Sequence, residues 1–316
     1  MAEVLHAQAA ALWRGSLGAS DRVLVLGATG WFGRTATALL QQALSASLLV
    51  ASRARSFDIA DKPATCSAWD WDEVQAFAPT VIVDCAFLTR DLVSQMTLSE
   101  YVSRNRALTD RMLAASGIHS VQRVITISSG AAVYPVDALS QPLADNPYGR
   151  LKREAEQQLT ELGLSRGIRT VIARAWSVSG AFVQKPRSYA LSDMILQART
   201  GTIEIAATTP VFRRYTGVDD LLALALAHAV EGGRSVIDSG GQLVEMMGLA
   251  EAVVAAVNPA ATINRAEVAG GEPNTYHSDD LSWQGACAEI AFAPATLRQQ
   301  IDIANAGLAA ETSATG

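Results

Sequence analysis

The stretch Gly27-Ala28-Thr29-Gly30-Trp31-Phe32-Gly33 limits what this chain can become more than any other. It follows the apolar run Val-Leu-Val-Leu at 23–26 and opens the helix-forming run Arg-Thr-Ala-Thr-Ala-Leu-Leu at 34–40. Strand, glycine turn and helix in that order aim the helix's first N–H groups at whatever lies over the turn. Glycines there let the backbone approach a pyrophosphate, so the stretch reads as a dinucleotide-binding turn.

The pattern downstream agrees. Short Val- and Ile-rich runs at 23–26, 48–51, 81–84, 124–127 and 170–174 show no polar alternation, as expected of parallel strands buried on both faces. Helix-length segments such as 35–44 and 98–116 separate them. The expected fold is α/β, a Rossmann-type doubly wound parallel sheet with a smaller C-terminal substrate-binding region. Its ligand crevice lies at the carboxyl ends of the strands. The expected organisation is a helical extension at 1–20, the dinucleotide-binding domain at 21–176, a region at 177–305 that mainly binds substrate and interleaves with the core, and a flexible tail at 306–316.

Composition removes several function classes. A net charge of -6 argues against nucleic-acid binding, which needs clustered Lys and Arg. The apolar run at 221–230 is broken by His228 and is too short to span a bilayer. The N-terminus carries Glu3 and no basic start, unlike a signal peptide. Cys66, Cys85 and Cys287 lack metal-site spacing and read as reduced thiols of a cytoplasmic protein, and the four scattered histidines give no metal site.

Two further features carry chemistry. The second strand ends in Ser52-Arg53, where an NAD-selective site usually places an acid on the ribose hydroxyls. A guanidinium at Arg53 would instead pair with the 2′-phosphate of NADP, so the cofactor is NADP or NAD, with NADP favoured. Tyr148 and Lys152 stand four apart on one helix face, a turn apart. A nearby ammonium favours the phenolate and would lower the phenol's pKa, leaving Tyr148 poised to exchange a proton with a carbinol oxygen. They follow a strand that ends in Ser128-Ser129.

The segments GATGWFG, SSGAAVY, YGRLK, ARAWSVSG and FRRYTGVDD together resemble the extended short-chain dehydrogenase/reductases, specifically the NAD-dependent epimerase/dehydratase family that acts on nucleotide sugars. The likeness covers about residues 21–305. It implies pyrophosphate contact at Gly27, Thr29, Gly30 and Gly33, with the Trp31 and Phe32 backbone alongside. It implies Asp70 and Trp71 beside the adenine, and Cys85, Ala86 and Phe87 on a strand end bordering the cofactor. Ala175 to Val178 would approach the nicotinamide. Tyr148 would be the acid/base and Lys152 its tuner and ribose ligand.

Two positions depart from the family pattern. The usual Ser or Thr that holds the reacting oxygen aligns with Gly130, so Ser129, or else Ser128, would take over. The Asp-Glu pair of 4,6-dehydratases aligns with Ala131-Ala132. Arg213 and Arg214 are candidate diphosphate clamps. The resemblance therefore implies an epimerase or reductase, its partners being a nucleotide sugar and a second copy of the chain, with the helices at 98–116 and 148–162 forming the dimer face through the stripe Leu151, Ala155, Leu159 and Leu162. The rival reading is a non-catalytic dinucleotide-binding sensor.

Overall fold

The structure, a computed structural model, describes residues 4–43, 47–59, 62–268 and 270–314. The first part of the chain runs α1 (Ala7–Gly15), β1 (Val23–Leu26), α2 (Trp31–Ala43), β2 (Leu48–Ala51), β3 (Arg55–Ile59), β4 (Lys62–Ala68), α3 (Trp71–Phe77), β5 (Val81–Asp84), α4 (Leu98–Ser116), β6 (Arg123–Ser129), α5 (Pro147–Arg166) and β7 (Arg169–Ala175). The second runs β8 (Ser177–Ser179), α6 (Ala190–Thr200), β9 (Thr202–Ile205), β10 (Val211–Gly217), α7 (Val218–Glu231), β11 (Val236–Asp238), β12 (Leu243–Glu245), α8 (Met246–Val257), β13 (Thr262–Arg265), β14 (Asn274–Thr275), α9 (Leu281–Glu289) and α10 (Leu297–Ala314).

The main sheet has the order β11-β7-β6-β5-β1-β2-β4-β3. All neighbours are parallel except β3, which pairs antiparallel with β4. Strands β1 and β5 are fully buried, which is why they read as unbroken apolar runs. The strand order reverses at β1, between β2 and β5, and this is the switch point where such sheets open a ligand crevice.

The later region does not stand apart. β11 returns to pair with β7, while β8 pairs with β10 and so ties the small sheet β12-β10-β14 to the end of β7. Helix α7 has no solvent face over Val218–Ala229, so its run of Leu and Ala shows no amphipathic period. Each fully buried leucine among Leu221, Leu222, Leu224 and Leu226 contributes about 1.5–3 kcal/mol of transfer free energy. Helix α1 closes over this helix: His6 donates its backbone N–H to Asp219 Oδ2 at 2.6 Å, and its Nδ1 lies 2.8 Å from Asp220 Oδ1.

Two expectations need correction. Of the stripe Leu151, Ala155, Leu159 and Leu162, the first three are buried within the chain and Leu162 is partly buried against the same cluster as Leu159, so the stripe is not a free dimer face. Residues 306–314, expected in a flexible tail, continue α10 with Leu308 buried; 315 and 316 lie outside the described residues. Among the described residues no helix is long and apolar enough to cross a membrane.

Candidate active site

The crevice starts at the glycine turn. Gly27 has φ +72°, and a Cβ there would meet the Ala86 backbone at 2.7 Å. A Cβ on Gly33 would meet the Gly27 carbonyl oxygen at 2.1 Å. These two glycines let β1, the end of β5 and α2 close on one another. Gly30 differs: its nearest neighbour to an added Cβ, the Gly27 carbonyl oxygen, is at an ordinary 3.5 Å. Its missing side chain keeps the outer face of the turn open, as a pyrophosphate requires. The first turn of α2 carries no acidic residue, so its positive end is not offset there. The residues present therefore fit a dinucleotide. Trp31 and Phe32 head this helix, with the Trp31 ring edge-on to Tyr189 at 4.8 Å and the Phe32 side chain packed on the core.

A slot beside this turn is lined by Gly27, Ser52, Trp69, Ala86, Leu108 and Arg111. The Arg111 guanidinium lies 5.7 Å from the Trp69 ring centroid. The two residues expected beside the adenine are not among those lining this slot. Asp70 caps α3, accepting the Glu73 N–H at 3.0 Å, and Trp71 is 36% exposed. Trp69 lines the slot instead. The spacing Asp70-x-x-Glu73 is itself a capping signature and was the signal to heed. Arg53 follows Ser52, exposed in the bend between β2 and β3.

The chemical end of the crevice forms where β5, β6, β7 and α5 meet. Cys85 continues β5, donating its N–H to the Leu26 carbonyl at 2.9 Å. Phe87 then turns its ring edge-on to Tyr148, 5.8 Å between centroids. Lys152 lies over the same ring at 3.9 Å and donates to the Ile127 carbonyl at 2.6 Å. Burial pulls the Lys152 ammonium down to about 8 against the opposing pull of Asp84, Cys85 and Glu156. Burial pushes the Tyr148 phenol well up, and a hydrogen bond with Ser129 opposes this. The lysine-lowered phenol expected from the spacing is thus not the balance here: desolvation outweighs the pull of Ser129, while the ammonium gives one of its three donors to Ile127 and lies over Phe87.

The two serines separate because successive strand residues point to opposite faces. Ser128 donates to Glu156 Oε1 at 2.5 Å, on a carboxylate that Arg174 also grips through two bonds of 2.9 and 2.7 Å. That ties Ser128 into the structure and away from Tyr148. Ser129 accepts the Ala131 N–H at 3.2 Å and pairs in register with Ala175 of β7. Val178 sits in β8 opposite Thr216 of β10.

The arginines separate likewise. Arg213 donates to the Phe212 and Asn274 carbonyls at 2.8 and 3.0 Å and lies 5.9 Å from the Tyr276 ring centroid. Arg214 turns instead to the Gly241 carbonyl at 2.8 Å and to Asp280. Only Arg213 faces the aromatic side of the site.

That side is an aromatic cluster not foreseen from sequence. Trp176 and Tyr276 lie 5.0 Å apart, and Tyr134 stands edge-on to both at 5.7 Å. The Trp176 indole N–H donates to Asp238 at 2.9 Å and holds the ring across Gly130. A Cβ on Gly130 would fall 2.3 Å from that ring. Tyr276 directly follows β14, far away in sequence and without a motif, so only the fold could reveal it.

Comparisons with known proteins agree with this geometry. The model of the NAD dependent epimerase/dehydratase family matches residues 23–237. A UDP-glucose 4-epimerase from Azospirillum brasilense is 31% identical over 196 residues, covering 54% of this chain and 53% of that protein. The match thus spans about half the length of this curated relative. The crystal structure of UDP-glucose 4-epimerase from Brucella ovis in complex with NAD superposes with a TM-score of 0.71 at 20% identity, covering 91% of this chain and 98% of that one. An epimerase from Methanothermobacter thermautotrophicus superposes with a TM-score of 0.71 at 16% identity, covering 98% and 97%. At these identities both structures speak for the fold alone.

Proposed function

The chain belongs to the NAD dependent epimerase/dehydratase family, and from that premise we propose that it is an NAD(P)-dependent 4-epimerase or 4-ketoreductase of a nucleotide sugar. One observation carries this reading: Tyr148 stands edge-on to Phe87, next to the Ala86 backbone that packs on the glycine turn, and the Ser129 hydroxyl pulls on its phenol. A non-catalytic binder has no use for a phenol and hydroxyl paired there.

A bound nicotinamide would take up a hydride from the substrate carbon or return one to it. Tyr148 would take the hydroxyl proton on oxidation and give one back on reduction. Ser129 would hold the reacting oxygen by a hydrogen bond. Lys152 would supply positive charge beneath Tyr148 and a donor for the cofactor ribose. Arg213 would meet the substrate diphosphate with a planar fork.

NADP is the cofactor this site suits better. Residues 52–57 contain no acid, and Arg53 and Arg55 follow the end of β2. The Arg34 guanidinium lies 4.8 Å from the ring centroid of Phe57, two residues beyond Arg55. We place the protein in the cytoplasm, where a reducing compartment keeps its three cysteines as free thiols, and propose a homodimer only on the family resemblance, through a face other than the buried stripe of α5.

The test is turnover of UDP-hexoses with and without NADPH. Interconversion of 4-epimers without added cofactor indicates the epimerase, and NADPH consumption with a 4-keto sugar indicates the reductase. Tyr148→Phe should retain cofactor affinity and lose about a hundredfold or more in kcat. Calorimetry should show NADP(H) bound more tightly than NAD(H), with Arg53→Asp reversing the order. Near-normal turnover in the phenylalanine variant would assign the proton to another group.

A further inference from the structure

Position 130 cannot carry the hydroxyl that its place at the strand end calls for, because the Trp176 ring fills the space. Ala131 and Ala132 offer no hydroxyl either. Two hydroxyls, those of Ser129 and Tyr276, meet at this end of the site. Their oxygens lie 3.4 Å apart, and the Ser129 hydroxyl pulls the Tyr148 phenol down against the effect of burial. Ser129 therefore stands between the catalytic helix and the residue that follows the small sheet's β14.

We propose that Tyr276 is a positioning residue: its phenol donates to Ser129 and turns the Ser129 proton towards Tyr148 and the reacting oxygen. This rests on Tyr148 being the acid/base.

A serine hydroxyl has one proton and two lone pairs. The Ala131 N–H occupies one lone pair. If the Tyr276 phenol donates into the other, the Ser129 proton has nowhere to go but outward, to Tyr148 or substrate. If Ser129 donates to Tyr276 instead, it can no longer act on the reacting oxygen. Tyr276 is well fixed for the first role. Its ring is held against Trp176 at 5.0 Å and Tyr134 at 5.7 Å. Its backbone is anchored by the parallel pairing of β14 with β10 and by the Arg213 bond to the Asn274 carbonyl. The neighbouring Thr275 hydroxyl lies 3.4 Å from the Tyr134 phenol.

Tyr276→Phe removes one hydroxyl and keeps the ring stack, so it isolates the proposal from folding. In the holoprotein with tyrosine labelled by carbon-13 at Cζ, the Tyr148 signal, identified by its loss in Tyr148→Phe, reports the hydrogen bonds at that phenol. Tyr276→Phe and Ser129→Ala should move this signal, and the double variant should move it no further than Ser129→Ala alone. In turnover, Tyr276→Phe should lower kcat about tenfold, the rate equivalent of one ordinary hydrogen bond, with KM little changed. An unmoved Tyr148 signal, or effects that add in the double variant, overturns the proposal. Full turnover in Tyr148→Phe with the signal shifts intact would instead overturn the acid/base assignment and leave the Tyr276–Ser129 link standing.

Discussion

At position 130 glycine is required by a neighbour rather than by backbone conformation. The Trp176 ring lies where any Cβ would go, and that ring is itself fixed by its bond to Asp238 and by Tyr134 and Tyr276. Restoring the family's serine with Gly130→Ser should therefore cost stability, about 1–3 kcal/mol for an overpacked site, and should not improve turnover. Thermal unfolding checks this, and Trp176→Ala in the same chain should relieve most of the loss; a Gly130→Ser protein as stable as the parent would show that the ring yields easily. The sequence revealed that residue 130 departs from the family, and it could not reveal why. The cause, Trp176, is 46 positions away along the chain and reaches Gly130 only because β6 and β7 are neighbours in the sheet. Tyr148, Lys152 and the glycines were legible because their roles depend on spacing within one turn or helix. Ser128 and Ser129 were not separable until the strand fixed which face each one takes.

Among the elements, α1 and α7 show most clearly what periodicity conceals. The parallel strands were legible as unbroken apolar runs, and β3 with β4 were missed because Arg55–Ala68 mixes polar and apolar residues at an exposed sheet edge. Helix α1 was foreseen as an added helix, but its attachment was not. His6 meets Asp219 and Asp220 more than two hundred residues away. Both acids are buried, and Asp220 also accepts the Ala295 N–H at 2.8 Å. His6→Ala would leave the Asp220 oxygen without its imidazole partner, so it should destabilise the protein by about 1–3 kcal/mol. Stability itself should depend on pH. Burial, with Asp220 beside it, pushes the Asp219 carboxyl up to about 6. A carboxyl raised in the folded state contributes stability that is complete below its unfolded value of 3.8 and is lost as pH rises through about 6. The protein should therefore be less stable at pH 7 than at pH 5, measured by urea unfolding at both, which also reads the His6→Ala loss. Equal stability at the two would mean that Asp219 ionises in the folded protein as it does in the unfolded chain.

The whole molecule decides which reactions the crevice can complete. β6 and β7 deliver Ser129 and Ala175 side by side, α5 brings Tyr148 over them, and the small sheet closes the far side with Arg213 and Tyr276. That assembly can move a proton at one oxygen. Losing water from a 4-keto sugar needs more: a base for the proton beside the ketone and an acid for the departing hydroxyl. The turn after β6 supplies neither, since Ala131 and Ala132 are buried methyl groups. Acids around this end of the crevice are committed elsewhere: Glu156 to Ser128 and Arg174, Asp238 to the Trp176 indole. Asp84 is buried and spends both oxygens, on the Ala86 N–H at 3.1 Å and the Thr126 hydroxyl at 2.8 Å. Asp137 accepts the Leu139 N–H at 2.9 Å and pairs with Arg153 at 3.1 Å. Asp91 is bound to Lys185 and Thr89. The protein should therefore return or reduce a 4-keto intermediate without eliminating water from it. Incubation with UDP-, GDP-, CDP- and dTDP-hexoses, read by mass spectrometry, should give no 4-keto-6-deoxy product. Steady formation of that product, abolished by Tyr148→Phe, would mean that a carboxylate from the small sheet swings into the crevice when substrate binds.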